Sequence, residues 1–211
     1  MYFAKSLGYA KNLILLLVGG NFYYSRKVLN GKVYQVQKGH IPFSATHGDA
    51  DILTPDKTRF GPTVSVSTLL EKGHPETFIN TLQTEDVDFD TLASLANILG
   101  DKDMRTILEK NAFYHVPYFG KHAFLDHEVR KIVPSLEYNE LEVAKGIGGV
   151  RPQIIDKKKR ELELGESIIH GRNAIFNITP SPGATVCLQN AVKDTHYIVD
   201  SLGKKFDEVF N

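Results

Sequence analysis

The sequence predicts an α+β fold: an antiparallel or mixed β-sheet, a helical segment set into it, and a C-terminal strand-turn-helix. Three observations carry this expectation. In the first third, short apolar runs of strand length are punctuated by Gly, Pro and Asn-Gly. In the middle third, apolar residues recur at i, i+3, i+4 and i+7. In the last third, β-type runs return and break at Thr179-Pro180-Ser181-Pro182-Gly183, after which helical spacing resumes.

Composition bounds the possibilities. The chain has 211 residues, 42% hydrophobic and 24% charged, which suits one large or two small globular domains. Its 25 basic residues balance 25 acidic ones, so no overall field recruits nucleic acid, and no nucleic-acid partner is expected. The single Cys187 leaves no internal disulfide and no Cys-based zinc site, and a cytoplasmic setting follows. The most apolar run, Leu13 to Val18, is far shorter than the ~20 residues of a spanning helix.

Taken in order, Leu13–Val18, Phe22–Ser25 and Lys32–Gln37 read as strands, with Asn30-Gly31 as a hairpin turn between the last two. Ile41–Ala45 reads as a fourth strand, leading to the turn Thr46-His47-Gly48-Asp49-Ala50-Asp51, and together these runs form an antiparallel meander. Asp90 is placed to cap a helix carrying Leu92, Leu95, Ala96 and Leu99, stopped by Gly100. Asp101 or Asp103 starts a second with Met104, Ile107 and Leu108, and Asp126 a third with Val129, Ile132 and Val133. Gly146 to Gln153 is a glycine-rich approach into a strand, and Asp156 to Arg160 a charged turn read as solvated surface. Leu162–Leu164, Ile168-Ile169 and Ile175–Ile178 are β-type, and the final helix sets Cys187, Leu188, Ala191, Ile198, Val199 and Leu202 on one face. Ser181 suits the N-cap of that helix and Pro182 its first position, so its N–H groups and positive dipole end favour an anion or an electron-rich ring carbonyl.

Few residues offer chemistry. His47 beside Asp49 reads either as a solvated turn histidine or as an oriented general base. Arg59 and Arg151 each sit beside Gly or Pro, and they read either as ion-paired surface residues or as a pair able to grip a dicarboxylic acid through two parallel hydrogen bonds each. No metal site is expected, because His-Gly-Asp-Ala-Asp has neither the spacing of His-Glu-x-x-His nor the ligand count of an EF-hand. Gly146-Ile-Gly-Gly-Val leads into a strand, so it is no dinucleotide fingerprint, and no complete Rossmann domain is expected.

Six stretches together resemble one family. Gly31 to Gln37, Ile41 to Asp51, Thr58 to Thr63, Gly149 to Gln153, Leu162 to Glu166 and Phe176 to Thr185 look like the C-terminal half of FAD-dependent malate:quinone oxidoreductases, within the D-amino-acid-oxidase-like flavoenzymes. The resemblance implies a substrate-binding sheet with helices over residues 1–145 and a flavin-contacting segment over 146–211. It implies His47 as the catalytic base, Arg59 and Arg151 on the substrate carboxylates, and Gly149, Thr179, Pro180, Ser181, Gly183, Ala184 and Thr185 against FAD. It further implies oxidation of malate with quinone as acceptor, in the tricarboxylic acid cycle, by a protein peripheral on the inner face of the cytoplasmic membrane. The family's glycine-rich FAD-binding half has no counterpart in the sequence, so the expected partners are malate or a similar 2-hydroxy acid, quinone, and a separately encoded N-terminal half. The alternatives are a non-catalytic fragment or interaction protein keeping the same fold, and an FAD-dependent dehydrogenase of another 2-hydroxy acid.

Overall fold

The computed structural model describes residues 1–36, 45–79, 88–163, 165–179 and 183–205. Its centre is one strand, β1 (Leu13–Arg26), which the sequence suggests as two. Gly19-Gly20 does not interrupt it, because both its edges are paired at that point. One edge takes β4 (Lys57–Val66) along Val18–Arg26. The other takes β6 (Gly149–Asp156) along Leu13–Gly20 and the short β5 (Glu142–Val143) at Tyr23 and Tyr24. Beyond β4 lie β3 (His47–Ala50) and β2 (Val33–Tyr34), and beyond β6 lies β7 (Glu161–Glu163). All pairings among the described residues are antiparallel, as the predicted meander requires. The exception is the Asn30-Gly31 hairpin: β2 pairs with β3, and both β3 and β4 separate it from β1. The expected strand at Ile41 lies largely outside the described residues.

Two devices shape the sheet. Between Asn21 and Tyr23 the register with β4 slips, so Gly61 and Pro62 together face the single residue Phe22. At the entry to β6, a Cβ on Gly148 would stand 2.0 Å from the Gly20 carbonyl oxygen, so the glycine-rich approach is a close backbone contact.

A run of helices packs against the sheet at two cores. α1 (Tyr2–Ser6) precedes β1, and α2 (Phe89–Gly100), α3 (Lys102–Tyr114) and α4 (Phe119–His127) form the middle segment. Asp88, not Asp90, caps α2, accepting from the Thr91 N–H at 2.8 Å, and Asp90 falls in the first turn, where a carboxylate suits the helix dipole. Asp101 caps α3 as expected, accepting from Met104 N–H at 2.8 Å. The third helix begins at Phe119, well before Asp126, and Val129–Lys131 continues it only as a 3-10 turn. Its start carries no capping side chain, which is why its sequence gives no start signal.

Tyr23, Phe60, Tyr114, Phe124, Leu125, Val129, Leu136 and Leu141 form the larger core, with Tyr23 stacked on Phe124 at 5.1 Å. Ile14 and Ile155 of the sheet meet Ile98 and Met104 of α2 and α3 in a second. The buried positions of α2 are Thr91, Ser94 and Ile98, which leaves Leu92 and Leu99 of the expected apolar face exposed.

The C-terminal unit is a hairpin of β8 (Ser167–His170) and β9 (Ile175–Thr179), followed by α5 (Gly183–Ser201). A strand followed by a helix is therefore present, but the helix is turned round from expectation. Its polar side packs on the hairpin: Asn190 bonds Glu166, Asn177 donates to Asp194 at 2.9 Å, and the Tyr197 hydroxyl donates to the Gly171 carbonyl at 3.2 Å. Leu188, Ile198 and Leu202 face outward.

Candidate functional site

The site is built on the face of the sheet opposite the larger core. Directly paired residues of antiparallel strands share a face. Tyr23, Phe60 and Gly48 lie across from one another on the core face, so their neighbours Tyr24, Arg59 and Asp49 share the other. His47 and Asp51 join them by strand alternation. The register slip at Phe22 brings its ring within 5.8 Å of the His47 ring and 4.9 Å of the Arg59 guanidinium carbon.

Asp49 is the hinge of this group. Arg59 donates to it side-on, Nε to Oδ1 and Nη2 to Oδ2, both at 3.0 Å. His47 Nε2 lies 3.9 Å from Asp49 Oδ2, and Lys32 Nζ 3.8 Å from the same oxygen. Asp51 stands 3.6 Å from Arg59 Nη1, accepts from the Tyr24 hydroxyl at 3.1 Å, and ties the following turn through the Leu53 and Thr54 N–H groups at 2.8 Å. Burial pushes the Asp51 carboxyl up, but these donors outweigh it and hold the group below its ordinary value, as a carboxylate. Hydrogen bonding to Asp49 raises the Arg59 pKa further, so the guanidinium stays charged. A side-on grip uses two of five guanidinium N–H donors and leaves the end-on pair for another acceptor.

His47 is a strand residue, not a turn residue. Tyr34 packs at 5.1 Å from its ring. Burial lowers its pKa and Lys32 adds to the effect, while Asp49 opposes both. The imidazole is thus neutral at pH 7 and able to accept a proton.

The structure joins His47 and Arg59 through Asp49 but keeps Arg151 apart. Arg151 lies on β6 opposite Val18, exposed, and among the described residues it has no ion pair with the group. Gly149 opens β6 opposite Gly20, with nothing within 4 Å of the place a Cβ would occupy. Thr179 ends β9, buried, its hydroxyl donating to the Gly165 carbonyl at 3.0 Å. Gly183 and Ala184 begin α5 and Thr185 lies exposed on its first turn, whereas Pro180 and Ser181 lie outside the described residues. Phe22, Tyr24, Lys32 and Asp51 escaped sequence reasoning, and Asp49 was read as a neighbour of His47 but not as the partner of Arg59. The signal for Asp51 was present: with His47–Asp51 read as a strand, His-x-Asp-x-Asp places all three on one face.

The basic run at Lys157–Arg160 is largely neutralised by Asp88, Asp90, Asp156 and Glu163, and borders an open cleft with Lys11 and Asn12 far along β6 from His47. Among the described residues no group of three or more metal-binding side chains occurs, and no helix is long and apolar enough to cross a membrane.

No family model matches the chain. Its sequence is 43% identical over 209 residues to a probable malate:quinone oxidoreductase of Helicobacter acinonychis, 97% of this chain and 46% of that protein. Its homologues are malate:quinone oxidoreductases. The Helicobacter pylori enzyme is 42% identical over the same span, and a probable malate:quinone oxidoreductase of Campylobacter jejuni 42% identical over 215 residues, 99% of this chain and 47% of that protein. The chain thus spans about half the length of the malate:quinone oxidoreductases it matches, consistent with their C-terminal half.

Proposed function

We propose that this chain supplies the substrate-binding and flavin-covering half of an FAD-dependent malate:quinone oxidoreductase, which oxidises malate to oxaloacetate with quinone as acceptor. The observation that carries the reading is the polar face on which a neutral His47 and a charged Arg59 are joined by Asp49. That pairing suits a 2-hydroxy acid: Arg59 offers its end-on N–H pair to one carboxylate, and His47 accepts the proton of the C2 hydroxyl. Arg151, set apart on β6 opposite Val18, is left out of this grip. Asp49 keeps the guanidinium in place and balances its charge, so that substrate does not meet an over-attractive pocket.

The residues present fit a flavin at two points. Gly149 leaves an open, side-chain-free surface where a planar ring can lie, and the first turn of α5, at Gly183, Ala184 and Thr185, offers N–H groups and a positive dipole end. Thr179, Pro180 and Ser181 belong to the same flavin-contacting segment in this reading. FAD, when bound, supplies the hydride acceptor for the C2 carbon. Residues 1–145 carry the substrate and 146–211 cover the cofactor; this division is one of role, since β6 is hydrogen-bonded along β1. The N-terminal half of the relatives would come from a separate polypeptide packed against the outward apolar side of α5. The assembled protein sits at the cytoplasmic face of a membrane, where quinone is available.

The test is reconstitution: the chain mixed with the N-terminal half of a homologue and FAD, with malate-dependent dye reduction as readout. Activity is expected in the mixture, and His47→Ala is expected to lower kcat by about 100-fold or more. No turnover in a folded, flavin-containing mixture, or a His47→Ala enzyme as fast as the parent, refutes the reading.

A further inference from the structure

A 2-hydroxy dicarboxylate brings two negative ends to the site, and Arg59 has an end-on N–H pair for one of them. The other end needs a second cation on the same face of the sheet. Arg151 is set apart on β6, opposite Val18. Lys57 stands opposite Arg26, at the end of β4 away from Gly61 and its partner His47, and its ammonium is bonded to Glu142. Lys32 is different, because it reaches the group around His47.

Lys32 immediately precedes β2, two residues before Tyr34, which is paired with His47. Its side chain crosses the Tyr34 ring, with Nζ 5.0 Å from the ring centroid, and ends 3.8 Å from Asp49 Oδ2. The same oxygen accepts from Arg59 Nη2 at 3.0 Å and lies 3.9 Å from His47 Nε2. One carboxylate oxygen thus gathers a guanidinium, an ammonium and an imidazole. The contacts differ in kind. Arg59 is hydrogen-bonded to Asp49 and fixed, whereas 3.8 Å is beyond hydrogen-bond reach, so Lys32 answers the charge of Asp49 without giving it an N–H. Among the described residues its ammonium makes no hydrogen bond, and its side chain is 45% exposed. The Tyr34 ring steadies the cation, and its three N–H donors stay open to an arriving acceptor.

We propose that Lys32 binds the second carboxylate of the substrate, and so sets the preference of this site for a 2-hydroxy dicarboxylic acid over a monocarboxylic one. The inference rests on the malate-oxidising reading and adds the residue that tells malate from singly charged analogues. The C1 carboxylate lies on Arg59 and the distal one on Lys32, while the C2 hydroxyl, on the carbons between them, faces His47. A monocarboxylic acid leaves the ammonium to water. Because Lys32 is partly exposed, the discrimination it gives is about tenfold, well short of what a buried pair would give.

The test compares malate with 2-hydroxybutyrate, which has a methyl group where malate has its distal carboxylate. In the full chain reconstituted with FAD and the N-terminal half of a homologue, Lys32→Gln should lower the malate-to-2-hydroxybutyrate ratio of kcat/KM about tenfold, through a higher KM for malate. Lys32→Arg should keep most of the ratio, and Lys57→Gln all of it. Any change in the His47 pKa acts on both acids alike and cancels. An unchanged ratio in Lys32→Gln, an equal fall in Lys57→Gln, or no recovery in Lys32→Arg overturns the inference and leaves malate oxidation standing. If no mixture turns over, that reading falls, and titration calorimetry of the full chain alone decides for Lys32. Malate should then bind about tenfold more tightly than 2-hydroxybutyrate, and only while position 32 is Lys or Arg. Equal binding of the two acids by the parent chain, or none, overturns the inference as well.

Discussion

At the scale of single residues, His47 shows how neighbours set a role. Burial is the main reason its pKa lies below the ordinary 6.5, with Lys32 assisting and Asp49 opposing. A base must be deprotonated to act, so kcat/KM in the reconstituted enzyme should hold at neutral pH and fall only below that ordinary value. Asp49→Asn removes the negative charge that most favours the imidazolium and should move the acid limb further down; Lys32→Gln should move it up. A limb that stays in place in both variants would mean that proton transfer does not involve this imidazole. His47 and Arg59 were visible in the sequence because the residue types are rare and flanked by turn formers. Asp49 as their connector was not, because its partner lies ten positions away and becomes a neighbour only through the pairing of β3 with β4.

At the scale of elements, stability concentrates where α3 and α4 meet the sheet. Glu128, just past α4, is buried and accepts from the Tyr114 hydroxyl at 2.9 Å, with Lys110 bonded to it and Lys131 3.9 Å away. Burial pushes its carboxyl up, but Lys110 and Tyr114 outweigh burial and hold it below 4.5. Its contribution is therefore complete above pH 4.5 and is lost as pH falls through the depressed value. Glu128→Gln should cost about 2 kcal/mol in denaturant unfolding at pH 7, less than a fully buried pair because Lys110 is half exposed, and the gap should close in strong acid. An equal gap at both ends of that range would refute the assignment. Helix starts were legible where an Asp caps them, at Asp101, and off by two residues where two Asp compete, at Asp88 and Asp90. The start at Phe119 was not legible, since it is made by tertiary packing of Gly120 on Tyr114 and not by any capping residue.

At the scale of the whole molecule, the fold class and the antiparallel sheet were readable from period changes alone. What the sequence could not show is which side of α5 faces in, because a polar side with Asn190, Asp194 and Tyr197 can pack only where Glu166, Asn177 and Gly171 happen to meet it. The outward side makes a plain prediction. Leu188→Lys/Ile198→Lys should change unfolding free energy by less than about 0.5 kcal/mol while lowering dye binding to apolar surface and preventing assembly with the other half. A loss of several kcal/mol would place that side in the core.

The long central strand has one more consequence, for how the polypeptide is made. β1 leaves the ribosome before both of its long partners; β4 can join it soon after, but β6 follows only after the whole helical segment. Until then the Leu13–Gly20 edge of the sheet, lined by Ile14 and Leu17, has no hydrogen-bonding neighbour. Long-range pairing of this kind is slow, and an open apolar edge invites pairing with other nascent chains. The same strand that unifies the finished sheet thus makes the growing chain dependent on a chaperone, or on the arrival of β6, for its solubility.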